Sequence, residues 1–116
     1  MDLTLVLPWP PSTNHYWRHV GSRVLISKEG REYRKRVTRA IGPGDAPFLT
    51  GRLSVRSTCH APDLRRRDLD NTQKALLDSL CYAGVYADDS QIDKLVVERG
   101  EVDRVDPRVV VEITEL

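Results

Sequence analysis

The sequence predicts an α+β domain: one mixed sheet covered by two helices, with elements in the order ββαβαββ. Three observations carry that expectation. Residues 51–61, GRLSVRSTCHA, alternate Leu53, Val55, Ser57 and Cys59 against Arg52, Ser54, Arg56 and Thr58, the period of a strand with one wet face. Two segments, 28–41 and 68–83, repeat apolar residues at helical spacing. Each is followed by strong punctuation, GPGDAP at 42–47 and Gly84. At 116 residues the chain is long enough for one core, and no linker, repeat or low-complexity tract divides it. Residues 1–116 therefore read as a single domain.

The elements follow in order. LTLVLP (3–8) is a short apolar run stopped by Pro8, Pro10 and Pro11, a strand entering a rigid loop. SRVLIS (22–27), after Gly21, is the second strand. Ser27 then caps a helix over about 28–41, with Tyr33, Val37, Ala40 and Ile41 on its inner face and Arg31, Arg34, Lys35 and Arg39 on the other. The strand at 51–61 leads to the second helix, about 68–83, which turns Leu69, Leu76, Leu80 and Ala83 inward and stops at Gly84. SQIDKLVVERG (90–100) and PRVVVEITEL (107–116) are the last strands, and the polar GEVDRVD between them predicts an antiparallel hairpin.

Several function classes are excluded early. No apolar stretch approaches the ~20 residues of a membrane span. The start, MDLTLVLPWPP, lacks the basic head and cleavage site of a signal peptide, so a cytoplasmic protein with no membrane partner is expected. Cys59 and Cys81 lack C-x-x-C spacing and read as buried thiols. There is no G-x-S-x-G, Walker A or G-x-G-x-x-G segment, which leaves triad hydrolysis and nucleotide-loop chemistry without support. His15 and His19 stand at i, i+4, but Pro10 and Pro11 argue against a helix there and no third ligand lies nearby.

Charge is distributed unevenly. Residues 1–67 carry 13 Lys/Arg against five Asp/Glu, whereas residues 68–116 carry five against 12. The sign changes at Arg67–Asp68. Such asymmetry suits a polyanionic partner beside an acidic cluster, or two halves that neutralise each other in the fold.

RRRDLDNTQKALLDSL, residues 65–80, contains that boundary. Asp68 and Asp70 fall at a helix start, where aspartate is favoured by capping and by the helix dipole. Asp70–Lys74 and Lys74–Asp78 are spaced as ordinary helical ion pairs. YADDSQIDK (86–94) adds Asp88 and Asp89 at a strand entrance, where side chains of different elements can converge. Carboxylates without Cys or clustered His form a hard-oxygen site suited to Mg²⁺ or Mn²⁺, not to zinc. Phosphodiester hydrolysis uses such ions to activate water and to neutralise the scissile phosphate, and a nearby lysine adds positive charge. Arg65, Arg66 and Arg67 would contact phosphates. The basic helical face of Lys28, Arg31, Arg34, Lys35 and Arg39 is either solvated or turned to DNA. Asn14, Tyr16, Trp17 and Arg18 follow the proline-rich turn, and the two aromatics either stack on unpaired bases or fill the core.

LPWPPSTNHYWRH (7–19), RRRDLDNTQKALLDSL (65–80) and GVYADDSQID (84–93) resemble the RusA family of Holliday junction resolvases, in order and over nearly the whole chain. The resemblance implies a small Mg²⁺-dependent, homodimeric endonuclease, Mn²⁺ substituting, that makes paired symmetric nicks in four-way DNA junctions during recombination and repair. It implies metal-binding aspartates at Asp68, Asp70 and Asp89, a catalytic lysine at Lys74, and products with a 5′-phosphate and a 3′-hydroxyl. A non-catalytic branched-DNA binding protein and a flap or single-strand nuclease remain as alternatives.

Overall fold

A computed structural model describes residues 2–116. The chain runs β1 (Asp2–Pro8), α1 (Thr13–Tyr16), β2 (Trp17–Val20), β3 (Arg23–Ile26), α2 (Lys28–Ile41), β4 (Leu53–His60), α3 (Gln73–Tyr82), β5 (Ile92–Arg99) and β6 (Arg108–Glu115). Single 3₁₀ turns at Leu69–Thr72 and Asp89–Gln91 precede α3 and β5.

Four strands form one mixed sheet in the order β1-β6-β4-β5. Alternation builds its inner face in rows: Leu3, Ile113 and Val55; Leu5, Val111 and Ser57; Leu7, Val109 and Cys59. Leu7, Val55, Val109, Val111 and Ile113 are buried there against Tyr33 and Val37 of α2 and Leu76 and Leu80 of α3. Thr4, Val6, Arg56 and Glu112, on the opposite face, are exposed. The expected mixed sheet with helices on one face is thus present. Among the described residues no helix is long and apolar enough to cross a membrane.

The final hairpin is not. β6 inserts between β1 and β4, antiparallel to both, while β5 pairs parallel to β4 on its far side. β6 has the more apolar alternation, with Val109, Val111 and Ile113 buried, and gains most from a central place. β5 exposes Asp93, Lys94 and Leu95, and charged residues suit an unpaired edge. The connection between them passes over the end of β4, held by Gly100 N–H to Cys59 O (2.9 Å) and Asp103 N–H to Ala61 O (2.9 Å).

A second difference lies near the N-terminus. Residues 17–20 form an additional strand that pairs with β3 as a separate two-stranded ribbon around Gly21, whose φ of +62° suits glycine. His15 falls in α1 and His19 in β2, so no helix carries them as a pair.

Ser27 caps α2 as expected, its Oγ accepting from Gly30 N–H at 3.0 Å. Ala40, expected inward, is exposed. A β-carbon at Gly30 would lie 2.6 Å from the main-chain oxygen of Tyr16, so glycine permits α2 to seat against α1. The second helix is shorter than the 68–83 expected. Asp68 is extended, residues 69–72 form the 3₁₀ turn, and α3 begins at Gln73. Asp, Asn and Thr at 70–72 favour turn conformations over helix. Gly84, at φ +86°, follows the end of α3.

Candidate active site

Asp68 occupies the capping position of the 3₁₀ turn, yet its side chain makes no capping bond. Asp70, within that turn, is exposed, as is Asp68. Neither is consumed by the local structure that would have explained them. Thr13 Oγ1 donates to Asn71 O at 3.0 Å, tying the start of α1 to the same turn and bringing Asn14 beside it in the chain.

Lys74 stands in the first turn of α3. Its ion-pair partner is Asp89, Nζ to Oδ2 at 4.0 Å, instead of Asp70 or Asp78. Its side chain remains 55% exposed. The two adjacent acids that precede β5 divide their tasks. Asp88 caps the second 3₁₀ turn: its carboxylate accepts from Ser90, and its own N–H donates to Gln91 Oε1 at 2.7 Å. The Gln91 amide, buried, donates to Leu49 O (2.9 Å) and Gly51 O (2.8 Å), anchoring the turn. Asp89 is thereby turned inward to Lys74.

Burial raises the affinity of the Asp89 carboxyl for its proton; Lys74 opposes this, and the nearby charge of Asp78 adds to it. Asp89 Oδ1 is buried and accepts no hydrogen bond. The neighbouring Tyr86 hydroxyl donates to Leu77 O at 2.6 Å, so its single proton is committed elsewhere. An orphaned carboxylate oxygen in an all-oxygen donor set fits a hard divalent cation. Among the described residues, however, no three acidic, His or Cys side chains already stand within coordinating reach of one another.

The arginine run splits by role. Arg67 is the staple of its loop: it donates to Asp63 O (3.1 Å), pairs with Asp63 Oδ1 (2.8 Å), and lies 5.9 Å from the centre of the Trp9 ring. Arg99 in turn donates to Arg67 O at 2.5 Å. Arg65, 83% exposed in its side chain, makes only a 3.7 Å contact to Asp63. Arg66 is exposed. A cleft of about 390 Å³ opens along this loop, lined among others by Trp9, Cys59, Leu64, Arg66, Asp68 and Arg99.

Two expectations need correction. Tyr16 cannot stack on bases, because it is completely buried: its ring meets Trp17 edge-on at 4.9 Å, and its hydroxyl bonds Asp78. Trp17 is half-buried and, with Asn14, lines a second groove of about 450 Å³; Arg18 is exposed beside it. Arg34, expected on the outer face of α2, turns inward and pairs with Asp78 across 44 residues of sequence at 2.7 Å. Its place between Tyr33 and Val37, four residues after the buried Gly30, is the signal that would have found it.

An arginine-rich loop running into exposed carboxylates, with a lysine paired to a half-orphaned aspartate, has the charge pattern of a protein that handles phosphodiesters. The family model of the endodeoxyribonuclease RusA matches residues 8–114. The crossover junction endodeoxyribonuclease RusA of Shigella sonnei (strain Ss046) is 49% identical over 90 residues, 77% of this chain and 75% of that protein. The protein of the same name from Enterobacteria phage HK97 is 47% identical over 116 residues, 99% of this chain and 96% of that protein. That of Escherichia coli (strain K12) is 47% identical over 90 residues, 77% of this chain and 75% of that protein. The chain belongs to the RusA family of endodeoxyribonucleases.

Proposed function

We propose that the protein is a homodimeric, Mg²⁺-dependent endonuclease that resolves four-way DNA junctions by paired nicks, Mn²⁺ serving in place of Mg²⁺. The observation that carries this reading is the Lys74–Asp89 pair, whose carboxylate keeps one buried oxygen unpartnered, in a chain whose exposed Asp68 and Asp70 follow directly on a basic loop. The names of the relatives, crossover junction endodeoxyribonucleases, support the substrate.

Asp68, Asp70 and Asp89 would hold the ion. When bound, Mg²⁺ supplies water activation and neutralises charge on the scissile phosphate. Asp68 and Asp70, being exposed, have the freedom to close toward Asp89, whose turn is fixed by Asp88 and Gln91. Lys74, held by Asp89 at the site's edge, donates a charged hydrogen bond to a phosphate oxygen as negative charge builds. Arg65 and Arg66 grip the flanking backbone, while Arg67 keeps their loop in shape. Asn14 and Trp17 line the second groove, with Arg18 exposed next to them in β2, and offer a path for a neighbouring arm. Two symmetric cuts need two related sites, which a two-fold dimer supplies.

The test is cleavage of an end-labelled four-way junction in Mg²⁺, with linear duplex and flap controls, by wild type and Asp70→Asn. Symmetric nicks confined to the junction, lost in the variant while junction binding persists, are expected. Tight binding without cutting in Mg²⁺ or Mn²⁺ would overturn the enzymatic reading, and preferential flap cutting would overturn the substrate. Light scattering should give a dimer mass.

A further inference from the structure

We propose that Arg34 is a positioning residue for cleavage: by occupying Asp78, it leaves Lys74 to serve Asp89 and the substrate phosphate. The inference rests on the role given to Lys74 above.

The helix itself sets up a competition. Lys74 and Asp78 are four residues apart in α3, the spacing at which a lysine and an acid pair on a helix surface. Asp89 comes from a different element and meets Lys74 only at 4.0 Å. Asp70, the other acid four residues from Lys74, lies outside α3 in the 3₁₀ turn, so within the helix Asp78 is the competing partner, yet the ammonium is found with Asp89.

Asp78 is already taken. Its Oδ2 accepts from Arg34 Nη2 at 2.7 Å and from the buried Tyr16 hydroxyl. The guanidinium is held in turn: Nε donates to that hydroxyl at 2.9 Å, and its plane carbon lies 4.6 Å from the centre of the Tyr82 ring. Side chains of both partners are about three-quarters buried, with exposures of 21% and 25%. This bracket joins α1, α2 and α3, and its charge neutralises the carboxylate within α3 that could capture Lys74. Without Arg34, Asp78 becomes a largely buried anion short of a partner, and a lysine one turn away satisfies it. Lys74 would then leave the position where developing phosphate charge needs it.

The experiment compares wild type, Arg34→Gln, Arg34→Met, the double variant Arg34→Gln/Asp78→Asn, Lys74→Met and Tyr33→Phe. Each is assayed for single-turnover junction cleavage in saturating Mg²⁺, junction binding without cleavage, and thermal melting, all well below the lowest melting temperature in the set. Gln keeps a donor to Asp78 without the charge, which protects the fold. Arg34→Gln should slow cleavage about tenfold or more, with junction affinity within about threefold of wild type. Removing the Asp78 charge as well should restore the rate to within about threefold of wild type, although the double variant melts no higher than the single one. Tyr33→Phe, which loses only the hydrogen bond to Pro8 O, should melt lower and cut at the wild-type rate.

A purely structural Arg34 would predict the reverse: no rescue, and rate tracking melting temperature across the set. Wild-type cleavage by Arg34→Gln and Arg34→Met would overturn the inference, as would a double variant no faster than the single one. If Lys74→Met cuts normally, the role of the lysine falls, and this inference with it. A slow Lys74→Met beside unaffected Arg34 variants sinks this inference alone.

Discussion

The carboxylate of Asp88 caps the turn that Asp89 begins, and so aims Asp89 at Lys74. Two adjacent, chemically identical side chains thus have separable tasks, one conformational and one in the site. Asp88 faces solvent and accepts from Ser90, whereas Asp89 is partly buried with one oxygen unpartnered.

Exchange of each for asparagine should separate them. Asn caps nearly as well as Asp, so Asp88→Asn should retain most junction cleavage and melt close to wild type. Asp89→Asn should lose cleavage by on the order of a hundredfold or more, since several kcal/mol of charge stabilisation depend on such a ligand. Cleavage rates and melting curves of the two variants check this, and equal losses would show that the turn, not the carboxylate, matters.

Magnesium should stabilise the fold. An ion that binds the folded chain and not the unfolded one stabilises the fold by mass action. At a hundredfold excess over its dissociation constant the gain is about 2.7 kcal/mol. The melting temperature should therefore rise through millimolar Mg²⁺ in wild type and remain flat in Asp70→Asn. No rise in wild type would count against a metal at Asp68, Asp70 and Asp89.

Arg66 and Arg67 should differ in kind. Arg66→Ala should weaken junction binding and lower the slope of log affinity against log salt by about one, as expected for a lost phosphate contact. Arg67→Ala should chiefly lower the melting temperature, because its guanidinium closes the loop onto Asp63 and Trp9. Binding titrations in Ca²⁺ over a salt series, with melting curves, distinguish the two.

The same loop should loosen in acid. The Arg65 backbone N–H, with the Arg67 guanidinium, holds the Asp63 carboxyl below the ordinary carboxylate range. A folded-state pKa below the unfolded one contributes stability above the unfolded value, about pH 4, and loses it as pH falls through the folded value. Wild type should therefore melt higher than Asp63→Asn at pH 6, and the gap should narrow below about pH 4. A gap constant from pH 6 to pH 3 would refute the assignment.

Much of the molecule was determined by the sequence itself, because its causes are local. The alternation of Leu53, Val55, Ser57 and Cys59, the cap at Ser27 and the left-handed Gly84 each act within a few residues, and each stands where its neighbours place it. The DLDN segment and the DD pair likewise marked where charge collects. Tertiary structure decided what depends on distant partners. The alternation of β6 satisfies a hairpin with β5 or a place between β1 and β4 equally well until the rest of the sheet competes for it. Lys74 has acids four residues away on either side, yet the fold gives it Asp89, while Asp78 pairs with Arg34, 44 residues upstream. Tyr16 reads equally as a base-stacking or a core aromatic until the packed fold buries it completely. Propensity and periodicity are properties of a segment; which charge meets which, and which side chain is left open to a substrate, are properties of the packed whole.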